Sequence, residues 1–324
     1  SASDNYKPLI LDHEIVNLPS ASTLGLLRRY QEGRKSPLKT VAVFADPVFE
    51  ASDNRVSRKE SSIRAAFRPP KLKELSTNAH LQNVGSAGDD DDKLRVIRDY
   101  LRRTGLVEGE RPLPRLSYSR KEAMAIASLV PESERDIVLD FDVNYRMITD
   151  SQLGEYRFLH FATHAWLDTK EPELSGILLS LVDKDGHSQE SGILRLGDVY
   201  NLNLPVELVT LSACETALGR SIKGEGMVGL TRGFMYAGAP RVLASLWKVD
   251  DVATADLMKL LYEGMLGPQR LRPAAALREA QHVARHPTAE VLDEARALRP
   301  GAHQAHLALQ HIDELRQFIE AGFP

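Results

Sequence analysis

The sequence predicts an α/β fold: a three-layer α/β/α sandwich around a mainly parallel central sheet. Several short segments are solid apolar runs rather than alternating ones, the pattern of strands buried on both faces. Segments with helical spacing separate them along the chain, as crossover connections require. At 324 residues the chain is long enough for one large α/β domain with its own core.

Ser22 precedes Leu24, Leu26, Leu27 and Tyr30, a short amphipathic helix that Gly33 ends. Thr40 to Ala45 is an unbroken apolar run closed by Asp46-Pro47 and reads as the first buried strand. From Ser52 to about Lys93 the composition turns polar and charged. Its closing Gly88-Asp89-Asp90-Asp91-Asp92-Lys93 fits both a solvated acidic loop and an enterokinase recognition sequence. Ser119 and Glu122 have the spacing of a capping box, followed by Ala123, Ile126, Ala127 and Val130 on one helical face, with Pro131 as the stop. Ile137 to Val143, Tyr156 to Ala162, Ile177 to Val182, Val206 to Ala213 and Arg241 to Trp247 read as further strands. Val252 to Leu266, Pro273 to His286 and Ala302 to Ala321 read as helices. Residues 1–36 are expected to form an N-terminal segment, and 37–324 the main domain with a mobile charged loop at about 52–118.

Forty-one basic against 45 acidic side chains leave a net charge of −4, which argues against holding nucleic acid by bulk charge. No run reaches the roughly 18 to 20 apolar residues that span a bilayer. No basic segment leads into an apolar one at the start, so the expected location is cytoplasmic. The single cysteine, Cys214, excludes an internal disulfide framework and a multi-thiolate metal site. Histidines 282, 286, 303, 306 and 311 fall in helical stretches without metal-type context, and no cofactor is expected.

In an open parallel sheet, ligands bind beyond the carboxyl ends of the strands. Two residues stand at such ends: His164 after Phe158 to Thr163, and Cys214 after Leu208 to Ala213. If those strands are neighbours, about 4.8 Å apart, an imidazole and a thiol share one crevice. A thiol with pKa near 8.5 is mostly unionised at neutral pH, and an adjacent imidazole that accepts its proton makes it a nucleophile. A lone cysteine in an apolar strand is otherwise a small packing residue. His160, in mid-strand, reads as structural.

Thr163-His164-Ala165 and Ser212-Ala213-Cys214-Glu215-Thr216 carry a family resemblance. So do Leu18 to Leu24, Gly224-Glu225-Gly226, Gly233 to Pro240 and Ser245 to Asp251. Over roughly residues 15 to 285 the chain closely resembles the CHAT domain, whose caspase-like cysteine peptidases share a clan with separase and gingipains. The resemblance implies a caspase-like fold and a cysteine endopeptidase acting on protein substrates. Cys214 would be the nucleophile and His164 the general base and acid, a dyad without an obligatory third member. The backbone N–H groups of Ala165 and Cys214 would form the oxyanion hole. By likeness to separase, Asp250 or Asp251 would line the S1 pocket and favour Arg or Lys at P1, with Asp46 as a further S1 candidate. Asp251 is equally suited to cap the helix that begins at Val252. Such domains often join tetratricopeptide-repeat or other sensor modules, and in bacteria they serve regulated proteolysis, defence and cell death. Two departures stand out. Ala165 occupies a place usually held by glycine, and nothing after His286 matches the family's usual last strand.

Two other functions compete. A catalytically silent caspase-like adaptor would keep the fold and only bind a partner. Gly224-Glu225-Gly226-Met227-Val228-Gly229 also fits the glycine pattern of a dinucleotide site, but it stands too far behind its strand for the phosphate turn. Gly226, Gly229 and Gly233 are better explained as one helical face approaching the sheet, with Gly238 ending the helix.

Overall fold

The computed structural model describes residues 12–17, 25, 29, 34, 37–57, 113–166, 175–189, 191–212, 225–245 and 251–285. Five strands form one parallel sheet in the order β2-β1-β3-β7-β8. They are β1 (Lys39–Ala45), β2 (Arg135–Leu139), β3 (Tyr156–Ala162), β7 (Leu208–Leu211) and β8 (Val242–Ala244). Helices α1 (Ser117–Ser128), α5 (Asp251–Leu266) and α6 (Pro273–Arg285) cover one face. On the other lie α2 (Tyr145–Thr149), α3 (Leu196–Tyr200) and α4 (Glu225–Tyr236).

Strand alternation explains why both layers are needed. Val41, Val43 and Ala45 of β1 pack with Ile126, Leu257, Leu261 and Ala276 of the first layer. Ala42 and Phe44 point the other way, to Ile148, Leu196, Leu230 and Phe234. A strand with no solvated face has no use for polar residues, hence the solid apolar run. The expected three-layer α/β/α sandwich is therefore the observed architecture. None of the helices among the described residues is long and apolar enough to cross a membrane.

Three sequence expectations need correction. The run Ile177 to Val182 does not enter the parallel sheet. Its first part is β5 (Gly176–Leu178), the centre of a small antiparallel sheet between β4 (Ala165–Trp166) and β6 (Ile193–Arg195). An apolar run marks burial and not its partner: Leu178, Leu181, Val182 and Ile193 bury against Val48, Phe49, Val56 and Leu113 in a core of their own. The Ser119–Glu122 capping box does not form, because α1 starts at Ser117 and both side chains bond elsewhere, Ser119 to Leu116 O and Glu122 to His160. The close approach of α4 is to α3 rather than to the sheet. A Cβ on Gly233 would lie 2.4 Å from Leu196 Cδ1, so the absence of a side chain sets that spacing. Gly238, with φ of 118°, ends α4 as expected. The Ala302 to Ala321 stretch, the acidic Asp89–Lys93 run and the helix after Ser22 lie wholly or mostly outside the described residues.

Candidate active site

The strand order places a topological switch at β1 and β3, because the chain moves from β1 outward to β2 and then returns to the other side as β3. A crevice opens beyond the carboxyl ends of strands at such a point. Asp46 directly follows β1, and Thr163-His164 directly follow β3.

His164 is held on three sides. Its carbonyl accepts the Leu178 N–H at 2.8 Å, and the preceding Thr163 Oγ1 donates to Leu178 O at 2.8 Å, so the small sheet fastens the backbone. The ring lies against Phe49, with centroids 5.2 Å apart. Nε2 lies 2.8 Å from the carbonyl oxygen of Pro114. A carbonyl only accepts, so Nε2 carries the proton and Nδ1 is left with a lone pair. Among the described residues Nδ1 is buried without a partner. Burial pushes the imidazole below its ordinary pKa of 6.5, and the Pro114 carbonyl offsets only part of that effect. The result is a neutral imidazole with one oriented, unused base atom.

The parallel ladder between β3 and β7 pairs Phe158 with Leu208, Leu159 with Val209, His160 with Thr210 and Phe161 with Leu211. Every rung joins residue n to residue n + 50, and the same count carried forward joins His164 to Cys214. Cys214 itself lies outside the described residues, which stop on this strand at Ser212.

Ala165, the alanine in the glycine's place, pairs with Ile177 in β4. The described non-glycine residues with positive φ are Asp46, Asp140 and Arg270, so Ala165 occupies ordinary backbone and the substitution costs no strain.

The three acidic S1 candidates have different surroundings. Asp250 lies outside the described residues. Asp251 begins α5, yet its Oδ2 accepts the Tyr118 N–H at 3.0 Å and so caps the neighbouring helix α1. Asp46 is buried and surrounded by arginines. Arg115 forks onto both its oxygens at 2.8 and 2.6 Å, Arg120 Nε reaches Oδ2 at 2.8 Å, and Arg55 lies 3.0 Å from Oδ1. A carboxylate shared by three guanidiniums has no free edge for a substrate cation. Asp140, at the end of β2, joins the cluster through Arg55 and Arg120, and its pKa is lowered because these contacts outweigh the effect of burial.

His160 belongs to a separate buried network. Its Nε2 lies 2.8 Å from Glu122 Oε1 and its Nδ1 3.2 Å from the Tyr262 hydroxyl, which donates to Thr210 Oγ1 at 3.4 Å. The site residues that sequence reasoning missed are Pro114 and Phe49. A main-chain acceptor 50 residues from its histidine leaves no mark in composition or spacing.

The model of the CHAT domain matches residues 1–310. The chain belongs to the CHAT-domain family. The resemblance read from the motifs is thereby borne out, and with it the caspase-like sandwich. Tetratricopeptide repeat protein 28 of Mus musculus is 38% identical over 91 residues, and the Homo sapiens protein 37% identical over 91. Each match covers 28% of this chain and 4% of the relative. This CHAT domain thus spans a small part of the length of those relatives.

Proposed function

We propose that the chain is a cysteine endopeptidase with Cys214 as nucleophile and His164 as its base. One observation carries this: His164 Nδ1 is an unused lone pair at the end of β3, on the strand whose ladder count leads to Cys214 on β7. In this reading Cys214 Sγ gives its proton to Nδ1 and attacks the scissile carbonyl. The oxyanion receives the backbone N–H groups of Ala165 and Cys214. The tetrahedral adduct collapses to a thioester as His164 returns the proton to the leaving amine. Water, deprotonated by the same nitrogen, then releases the acid and the free thiol.

Asp250 is the S1 acid of choice, favouring Arg or Lys at P1, since Asp251 is committed to the amide of Tyr118 and Asp46 to its arginines. Residues 37–324 form the peptidase unit, in the cytoplasm, and residues 1–36 a separate segment. The similarity to proteins named for tetratricopeptide repeats supports a partner or neighbouring module of that type which controls access to the site. Burial of the His164 ring supports a resting form that opens when such a module is engaged.

The test is turnover of fluorogenic peptides that differ at P1, compared among the wild type, Cys214→Ala and His164→Ala. Turnover lost in both variants and preference for basic P1 supports the assignment. Absence of turnover under every activating condition assigns the fold to a silent adaptor.

A further inference from the structure

We infer that Asp46 and Arg115 are positioning residues for His164, acting through the peptide bond between Pro114 and Arg115; this rests on the peptidase reading above. The oxygen that accepts the His164 Nε2–H belongs to that peptide unit. Residues 113–116 form no helix or strand, so its direction is set by what fastens its two sides. On the near side Leu113 is buried against Phe49 and Leu178, and the pyrrolidine ring of Pro114 fixes its own φ. On the far side the fastening is the Arg115 fork, two charge-assisted bonds of 2.8 and 2.6 Å to Asp46.

Asp46 is built as an anchor. Its side chain is fully buried and its backbone sits at φ 53°, at the tip of a central strand. Its N–H donates to Ser119 Oγ at 3.1 Å, and Ser119 Oγ donates to Leu116 O at 2.7 Å, so the same residue holds the segment a second time. A chain of contacts therefore runs from β1 through Asp46, Arg115 and the Pro114 carbonyl to the imidazole. Its effect is to keep the proton on Nε2 and leave Nδ1 as the base. Orientation of this kind shows up in turnover, since a displacement of about 1 Å at a catalytic group costs up to roughly a hundredfold.

The experiment compares the full chain with Arg115→Ala, Arg115→Lys and Asp46→Asn. Arg115 is 35% exposed, so its variants test the contact without opening the core. The first readout is the ring N–H proton of His164 by NMR, assigned by its loss in His164→Ala and independent of peptidase activity. The wild type is expected to show a slowly exchanging Nε2–H; Arg115→Ala and Asp46→Asn speed its exchange at least tenfold, with Arg115→Lys between. The second readout is kinetic: kcat falls roughly tenfold or more while KM stays within about twofold. An unchanged N–H signal in both Arg115→Ala and Asp46→Asn overturns the inference. So does a rise in turnover of Arg peptides by Arg115→Ala, which would mean that Asp46 is a substrate site blocked by its own arginine. If the N–H responds as expected but the wild type cleaves nothing, the peptidase reading fails and the positioning stands.

Discussion

Replacing Glu122 separates the two histidines of the β3 segment. His160 is fully buried and Glu122 is 2% exposed, so their 2.8 Å contact is closed to water. Glu122→Ala leaves His160 Nε2 without its partner and opens a small void beside β3. Removing one member of such a buried pair costs about 3 to 5 kcal/mol. Glu122→Gln keeps the shape and one neutral hydrogen bond and costs less, about 1 to 2 kcal/mol. The remaining contact, from His160 Nδ1 to the Tyr262 hydroxyl at 3.2 Å, is too long to compensate. Urea unfolding followed by far-UV circular dichroism at neutral pH reads both values. Because the pair points into the α1 and α5 layer and not toward the crevice, peptidase turnover per folded molecule of Glu122→Gln equals that of the wild type. A Glu122→Ala chain within about 1 kcal/mol of the wild type would show that the network contributes no stability.

Two further outcomes follow from the site. The depressed pKa of His164 means that the unfolded chain takes up a proton before the folded one does, so stability is retained above pH 6.5 and declines as the pH falls below it. Relative to His164→Gln, urea midpoints measured from pH 8 to pH 5 should fall with acidity by at most about 1.4 kcal/mol per pH unit; a difference that grows more favourable in acid refutes the burial effect. Asp251→Ala removes the acceptor of the Tyr118 N–H and should lower unfolding stability by about 0.5 to 2 kcal/mol, whereas Asp251→Asn keeps most of it.

The strands were legible to within two or three residues wherever a solid apolar run entered the parallel sheet, as Thr40 to Ala45 and Tyr156 to Ala162 did. Ile177 to Val182 was legible as buried but not as antiparallel, because apolar content does not record the partner strand. The position of His164 followed from its place after a strand. What orients it did not, because a proline carbonyl has no distinguishing side chain. Glu122 and Asp46 were misjudged for one reason. Each has a charge that suits a local or pocket role, and each spends it on a partner from another part of the chain: His160 for the first, Arg115 and Arg120 for the second.

The common register of β3 and β7 has a consequence for variation. Four rungs fix how far each strand end reaches, irrespective of how much chain travels between Ala162 and Leu208. Lengthening or reshaping that excursion leaves the two tips abreast. Deleting one residue between Phe161 and His164 turns the imidazole to the opposite side of the sheet and draws it back by about 3.3 Å. Diversity in what this domain recognises can therefore accumulate in its detours, while the short stems leading to the tips tolerate substitution but not a change of length.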